Sequence, residues 1–78
     1  MDILNKLNIA LDVASQLYIS RRNPNEGTSS LARRDPEFKT LLESIAEYQQ
    51  KLNYSDEKIE EMFNASFRTV NTRNKDIS

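Results

Sequence analysis

Apolar side chains return every three or four residues over three long stretches of this chain, and that period belongs to helices with one buried face. In the first stretch they are Ile3, Leu7, Ala10, Ala14 and Leu17, with Leu4, Leu11 and Tyr18 beside them. At 100° per residue these side chains span an arc of about 140°, and Asn5, Asn8, Asp12 and Gln16 fall on the opposite side. A second stripe runs through Phe38, Leu41, Leu42, Ile45, Tyr48 and Leu52, and a third through Ile59, Met62, Phe63, Phe67 and Val70. Alternation at period two is nowhere sustained, so no strand is expected.

The breaks between the stripes carry their own chemistry. Asn23 to Ser30 contains the only glycine, Gly27, and one of the two prolines, Pro24. Pro24 cannot continue a helix and Gly27 tolerates positive φ, which places a stop at or just after Arg22. Asp35-Pro36-Glu37 is a start signal: a capping carboxylate, a proline pre-set for the first helical position, and a negative charge at the positive helix end. Ser55-Asp56-Glu57 repeats that logic with a hydroxyl cap. The expected fold is all-α: a small three-helix bundle in one domain, residues 1–78, with a long loop between helices 1 and 2. Helix 1 covers about 2–22, the loop 23–34 with room for a short turn at Leu31 to Arg34, helix 2 about 36–52 and helix 3 about 56–71. The brief connection between the last two favours an antiparallel hairpin. Residues 72–78 lose the period and read as a frayed tail.

A chain of 78 residues buries a smaller share of its surface than a longer one, and without cysteine it has neither disulfides nor thiolate metal sites to hold it together. The sequence also lacks histidine, so it offers no ordinary base near neutral pH and no imidazole ligand. Glu43 with Glu47, and Glu57 with Glu61, are carboxylate pairs one turn apart, and they read as solvated helix faces. One glycine cannot build a phosphate-cradling loop, and no calcium-loop spacing is present. Met62, Phe38, Phe63 and Phe67 lie at core spacing. These features predict no enzyme, no cofactor and no metal. Unbroken apolar runs reach only three residues, against roughly 20 for a membrane span, and Met1 to Lys6 has no signal-peptide pattern. A cytoplasmic location is expected.

Candidate binding residues fall into two groups. Ile9 and Val13 stand outside the main stripe of helix 1, at about 240° and 280° from Ile3, as a second apolar strip. Either one of them packs at the edge of a broad core or the strip is a contact surface. Arg21, Arg22, Arg33 and Arg34 flank the loop in two pairs and suit carboxylate or phosphate, while Arg21 and Arg22 also complement the negative end of helix 1. The formal net charge is −1, distributed as +2 over residues 1–34, −5 over 35–63 and +2 over 64–78. The modest basic excess favours an acidic protein partner over nucleic acid. A helix-turn-helix built from helices 2 and 3 would also lead with Asp56, Glu57, Glu60 and Glu61, which repel phosphates.

In length, in the leading helix Leu4 to Arg22 and in the run Ser20-Arg21-Arg22-Asn23-Pro24-Asn25-Glu26-Gly27, the chain resembles the RIII lysis-inhibition proteins of T-even bacteriophages. That resemblance implies a cytoplasmic antiholin in the host cell, binding the cytoplasmic N-terminal part of the T holin and delaying lysis. Val13-Ala14-Ser15, and Phe63-Asn64 followed by Phe67 and Val70, are similar to stretches of the AsiA anti-sigma proteins. This second likeness implies capture of a sigma factor of host RNA polymerase, although the intervening segment differs in length and content. Self-assembly into a homo-oligomer is a further reading.

Overall fold

The computed structural model describes the backbone of residues 2–77 and the side chains of residues 2–73. It contains four helices and not three: α1 (Ile3–Arg21), α2 (Thr28–Arg34), α3 (Pro36–Leu52) and α4 (Asp56–Ile77). The all-α class stands as expected, and the three-helix bundle with a long loop does not.

The correction lies at residues 28–34. Gly27 is not in the left-handed region; its φ of −88° and ψ of 176° make it the extended cap of α2. The left-handed residue of the connection is Asn25, with φ 67°, a residue type that adopts this conformation more readily than most. Seven residues then wind into α2, which buries only Leu31. Two turns contribute too few side chains for a period to show, so docking of Leu31 and not local preference holds this helix. It stops at Asp35, whose φ of −121° and ψ of 104° are extended, because the ring of Pro36 crowds a helical residue before it.

The other boundaries follow the start and stop chemistry. Asp2 caps α1 by accepting the Asn5 N–H at 2.8 Å. Asp35 closes α2 through its backbone N–H, which donates to Leu31 O at 2.9 Å, and opens α3 through its side chain, which accepts the N–H groups of Glu37 at 3.1 Å and Phe38 at 3.2 Å. Asn53, with φ 57° and ψ 39°, ends α3. Its N–H donates to Gln50 O and that of Tyr54 to Gln49 O, both at 3.1 Å, the paired bonds of a Schellman motif. Ser55 Oγ accepts the Lys58 N–H at 3.1 Å at the start of α4. That helix does not fray at 72 but continues to Ile77. Arg73, beyond Val70 at the end of the expected apolar stripe, donates to Asp12 Oδ1 at 2.8 Å and ties the extra turn to α1.

The central element is α1, which packs against both α3 and α4, while α2 rests mainly on α3. The principal contacts of α3 and α4 are with α1 and not along each other, so the expected hairpin gives way to two helices sharing a third. The reason is the width of the α1 stripe: Leu7, Ala10, Leu11 and Ala14 are all buried, and their arc is broad enough for two neighbours. With Leu31, Phe38 and Ile45 they make one core. Tyr18 joins its parts, stacking on Phe38 at 6.1 Å between ring centroids and meeting Phe63 edge-on at 6.5 Å and Phe67 at 5.4 Å. Its hydroxyl donates to Glu26 O at 2.9 Å, so the buried end of the ring still has a polar partner.

Candidate functional site

The two strip residues on α1 face outward. Ile9 is 52% exposed and Val13 is 38% exposed, on the side of α1 turned from the core stripe. Val13 is not isolated: with Leu17, Pro36, Glu37, Thr40 and Leu41 it lines an open groove of about 430 Å³ between α1 and the first turns of α3. Most of that lining is hydrocarbon, and Ile9 stands one turn away from Val13 along α1. Leu4 is also exposed, at 39%, although its stripe position predicted burial. At about 100° from Ile3 it lies at the rim of the buried arc, and on the first turn of the helix few neighbours remain to cover it. It is on the opposite flank from Ile9 and does not extend the strip.

The four arginines are not one basic patch. Arg21 Nη1 reaches Asp35 at 3.0 Å and Glu37 at 3.2 Å, clamping the end of α1 to the start of α3. Arg34 donates through Nη2 to Glu26 at 2.6 Å and through Nε at 3.0 Å, a two-point contact that suits the planar guanidinium. The same Nη2 donates to Arg21 O at 2.7 Å, satisfying a carbonyl left open where α1 ends. Arg22 lies over the Tyr18 ring at 4.9 Å and the Phe67 ring at 5.9 Å, and its Nη1 donates to the Tyr18 hydroxyl at 3.1 Å. Arg33 is exposed and forms no ion pair among the described residues. Arg21 and Arg34 therefore converge, as their flanking positions suggested, but on internal carboxylates, and their charge is largely spent within the fold.

Glu26 is the centre of this clasp and sequence reasoning passed over it. Besides Arg34, it accepts the Asn23 N–H at 3.0 Å and the Ser30 hydroxyl at 2.8 Å. The Arg34 hydrogen bond first, and then those from Asn23 and Ser30, lower its pKa from an ordinary 4.5 to about 2. The Phe38 N–H, joined by Arg21, lowers that of Asp35. In return, hydrogen bonding by Asp35 raises the pKa of Arg21, and hydrogen bonding by Glu26 raises that of Arg34. Each charge is held by its partner, which makes the clasp a device for ordering residues 22–35. The one available signal was the spacing Glu26 to Ser30 to Arg34, which puts partners one turn apart only if residues 28–34 are helical.

The carboxylate pairs on the outer helix faces remain in water, and Glu47 bonds to Lys51 at 3.2 Å. Among the described residues no group of three or more acidic or other ligating side chains is placed to hold a metal ion, and no helix is long and apolar enough to cross a membrane. What the surface offers chemically is contact: an apolar strip beside a groove, bounded at one end by the Arg21–Glu37 pair. Comparison with family models, with curated proteins and with solved structures finds no match to this chain.

Proposed function

We propose that this chain is a small regulatory protein that acts by binding another protein, through a surface centred on Ile9 and Val13, and that it performs no catalysis. The observation that carries this reading is the outward exposure of two aliphatic side chains one turn apart on α1, beside an apolar groove. Scattered exposed aliphatics are ordinary; a pair continuous with a groove has the anatomy of an interface centre. The resemblance of residues 20–27 and of the leading helix to the RIII lysis-inhibition proteins supplies the partner: the cytoplasmic part of a phage holin, held back from forming its lesion so that lysis is delayed. The Arg21–Glu37 pair sits at the rim, where charge sets orientation more than affinity.

Covering the exposed halves of Ile9 and Val13 contributes about 1 kcal/mol each, or about 30-fold in affinity for the two. Val13→Glu removes one of these contributions and adds an unpaired carboxylate to the contact, so binding weakens by more than about tenfold. Its helical circular dichroism stays at the wild-type level, because Val13 already reaches solvent. The test is an affinity pull-down of tagged wild-type and variant protein from phage-infected lysate that includes solubilised membranes. Holin retained by the wild type and lost by the variant is the expected result. Recovery of sigma factor without holin overturns the lysis reading in favour of transcriptional control, and loss of helicity in the variant would make Val13 a core residue.

A further inference from the structure

A second groove opens on a different part of the molecule, where α2, α3 and α4 meet. Its floor is apolar, formed by Leu42 of α3 with Ile59 and Phe63 of α4, and its volume is about 360 Å³. Its rim carries Asp56, Glu60 and Asn64. Charge at the start of a helix needs no special account, and that covers Asp56, which lies in the first turn of α4 and already accepts the Gln49 amide at 2.8 Å. It does not cover Glu60, one turn farther on. Among the described residues neither carboxylate is paired with a cation. The nearest lysine in sequence, Lys58, instead sits over the Tyr54 ring at 5.6 Å. The stretch of sequence that supplies α3 and the first turns of α4, residues 35–63, has a net charge of −5.

We propose that this groove is a docking site for a basic amphipathic segment of a partner protein, with its apolar side chains on Leu42, Ile59 and Phe63 and its lysine or arginine groups at Asp56 and Glu60. The juxtaposition selects that chemistry over the alternatives. An uncharged apolar segment would strip water from two carboxylates without compensation, and an acidic one would be repelled by them. A lysine or arginine side chain satisfies both parts at once, its hydrocarbon stem lying along the floor and its cation reaching the rim. The proposal does not depend on the Ile9–Val13 surface, which lies on α1 beside the outer edge of α3.

The experiment is titration of the full chain, uniformly labelled with ¹⁵N, with three synthetic helical peptides: one of leucine and lysine in amphipathic order, one with every lysine replaced by glutamate, and one with every leucine replaced by serine. Amide shifts that move for Ile59, Glu60, Phe63 and Asn64 with the leucine–lysine peptide alone, and shrink as salt is raised, are the expected result. Glu60→Lys, at an exposed helix position, keeps the spectrum of a folded chain and weakens that binding about three- to tenfold. Equal binding of the glutamate peptide, or of the serine peptide, overturns the proposal. So does a set of shifts confined to Ile9 and Val13, which would assign the basic segment to the α1 surface instead.

Discussion

Replacement of Leu31 by alanine tests the feature that most separates the structure from the expected three-helix bundle. Leu31 is fully buried and is the only buried residue of α2. Cutting its side chain back to a methyl removes three carbons from a water-free site, or about 2.4 kcal/mol at roughly 0.8 kcal/mol per buried carbon. The partly relaxed cavity adds to this and brings the loss to about 3 kcal/mol, within the usual range for buried leucine. A chain of 78 residues has a total stability of about 4–12 kcal/mol, so the variant stays folded in the cold with much of its margin gone. Its thermal midpoint falls by roughly 12–24 °C, taking about 4–8 °C per kcal/mol for a domain of this size. Urea and thermal unfolding followed by far-ultraviolet circular dichroism measure both quantities. Ser29→Ala, at an exposed position on the same helix, is the control and shifts stability by no more than about 0.5 kcal/mol. A loss below about 1 kcal/mol for Leu31→Ala would be the behaviour of a solvated loop residue, and would refute the docking of α2 in the core.

Two further outcomes follow from polar groups. Ser15 is fully buried and its hydroxyl has no hydrogen-bond partner among the described residues; Ser15→Ala therefore raises stability by about 1–2 kcal/mol through relief of desolvation and better helix propensity, and a fall in the unfolding midpoint would mean that the hydroxyl is satisfied after all. Glu26 has a folded-state pKa near 2 against an ordinary 4.5, so its contribution is complete above about pH 4.5 and disappears as the pH falls toward 2. Asp35 is shifted in the same direction and adds to the slope. In Glu26→Gln the loss of stability between pH 4.5 and 2 becomes shallower, as urea midpoints at a series of pH values will show; an unchanged slope would mean that Arg34 and Asn23 do not hold this carboxylate.

The clasp around Glu26 also explains why the arginine pairs looked more available in the sequence than they are in the fold. A guanidinium finds the nearest carboxylate that can meet it in two-point geometry, and here that carboxylate lies within the same connection. Less free positive charge is therefore left at this end of the molecule than four arginines would supply. Arg22 and Arg33 are the exceptions among the four: neither makes an ion pair among the described residues, and Arg22 rests instead over the Tyr18 and Phe67 rings. Beside the apolar floor of Leu42, Ile59 and Phe63 the charge left unpaired among the described residues is negative, at Asp56 and Glu60.

The helical class, the stripes of α1, α3 and α4, and most of the boundaries are legible in the order of residues, because these depend on interactions within a few residues. Asp2, Asp35 and Ser55 cap helices through hydrogen bonds to backbone groups two or three positions away, and Pro36 acts on its immediate neighbour. The second apolar strip at Ile9 and Val13 was legible for the same reason, since helical period alone separates it from the core arc. The rest depends on contacts between residues far apart in the chain. The seven residues of α2 are too few for a period, and their helix depends on burial of Leu31 against partners distant in the chain. The last turns of α4 carry no apolar stripe, and Arg73 reaches Asp12 across 61 residues. That α1 would take two helical neighbours, that Arg21 and Arg34 would be spent on Asp35, Glu37 and Glu26, and that Leu42, Ile59 and Phe63 would floor a groove under two carboxylates are all consequences of how the helices pack, which no local pattern encodes.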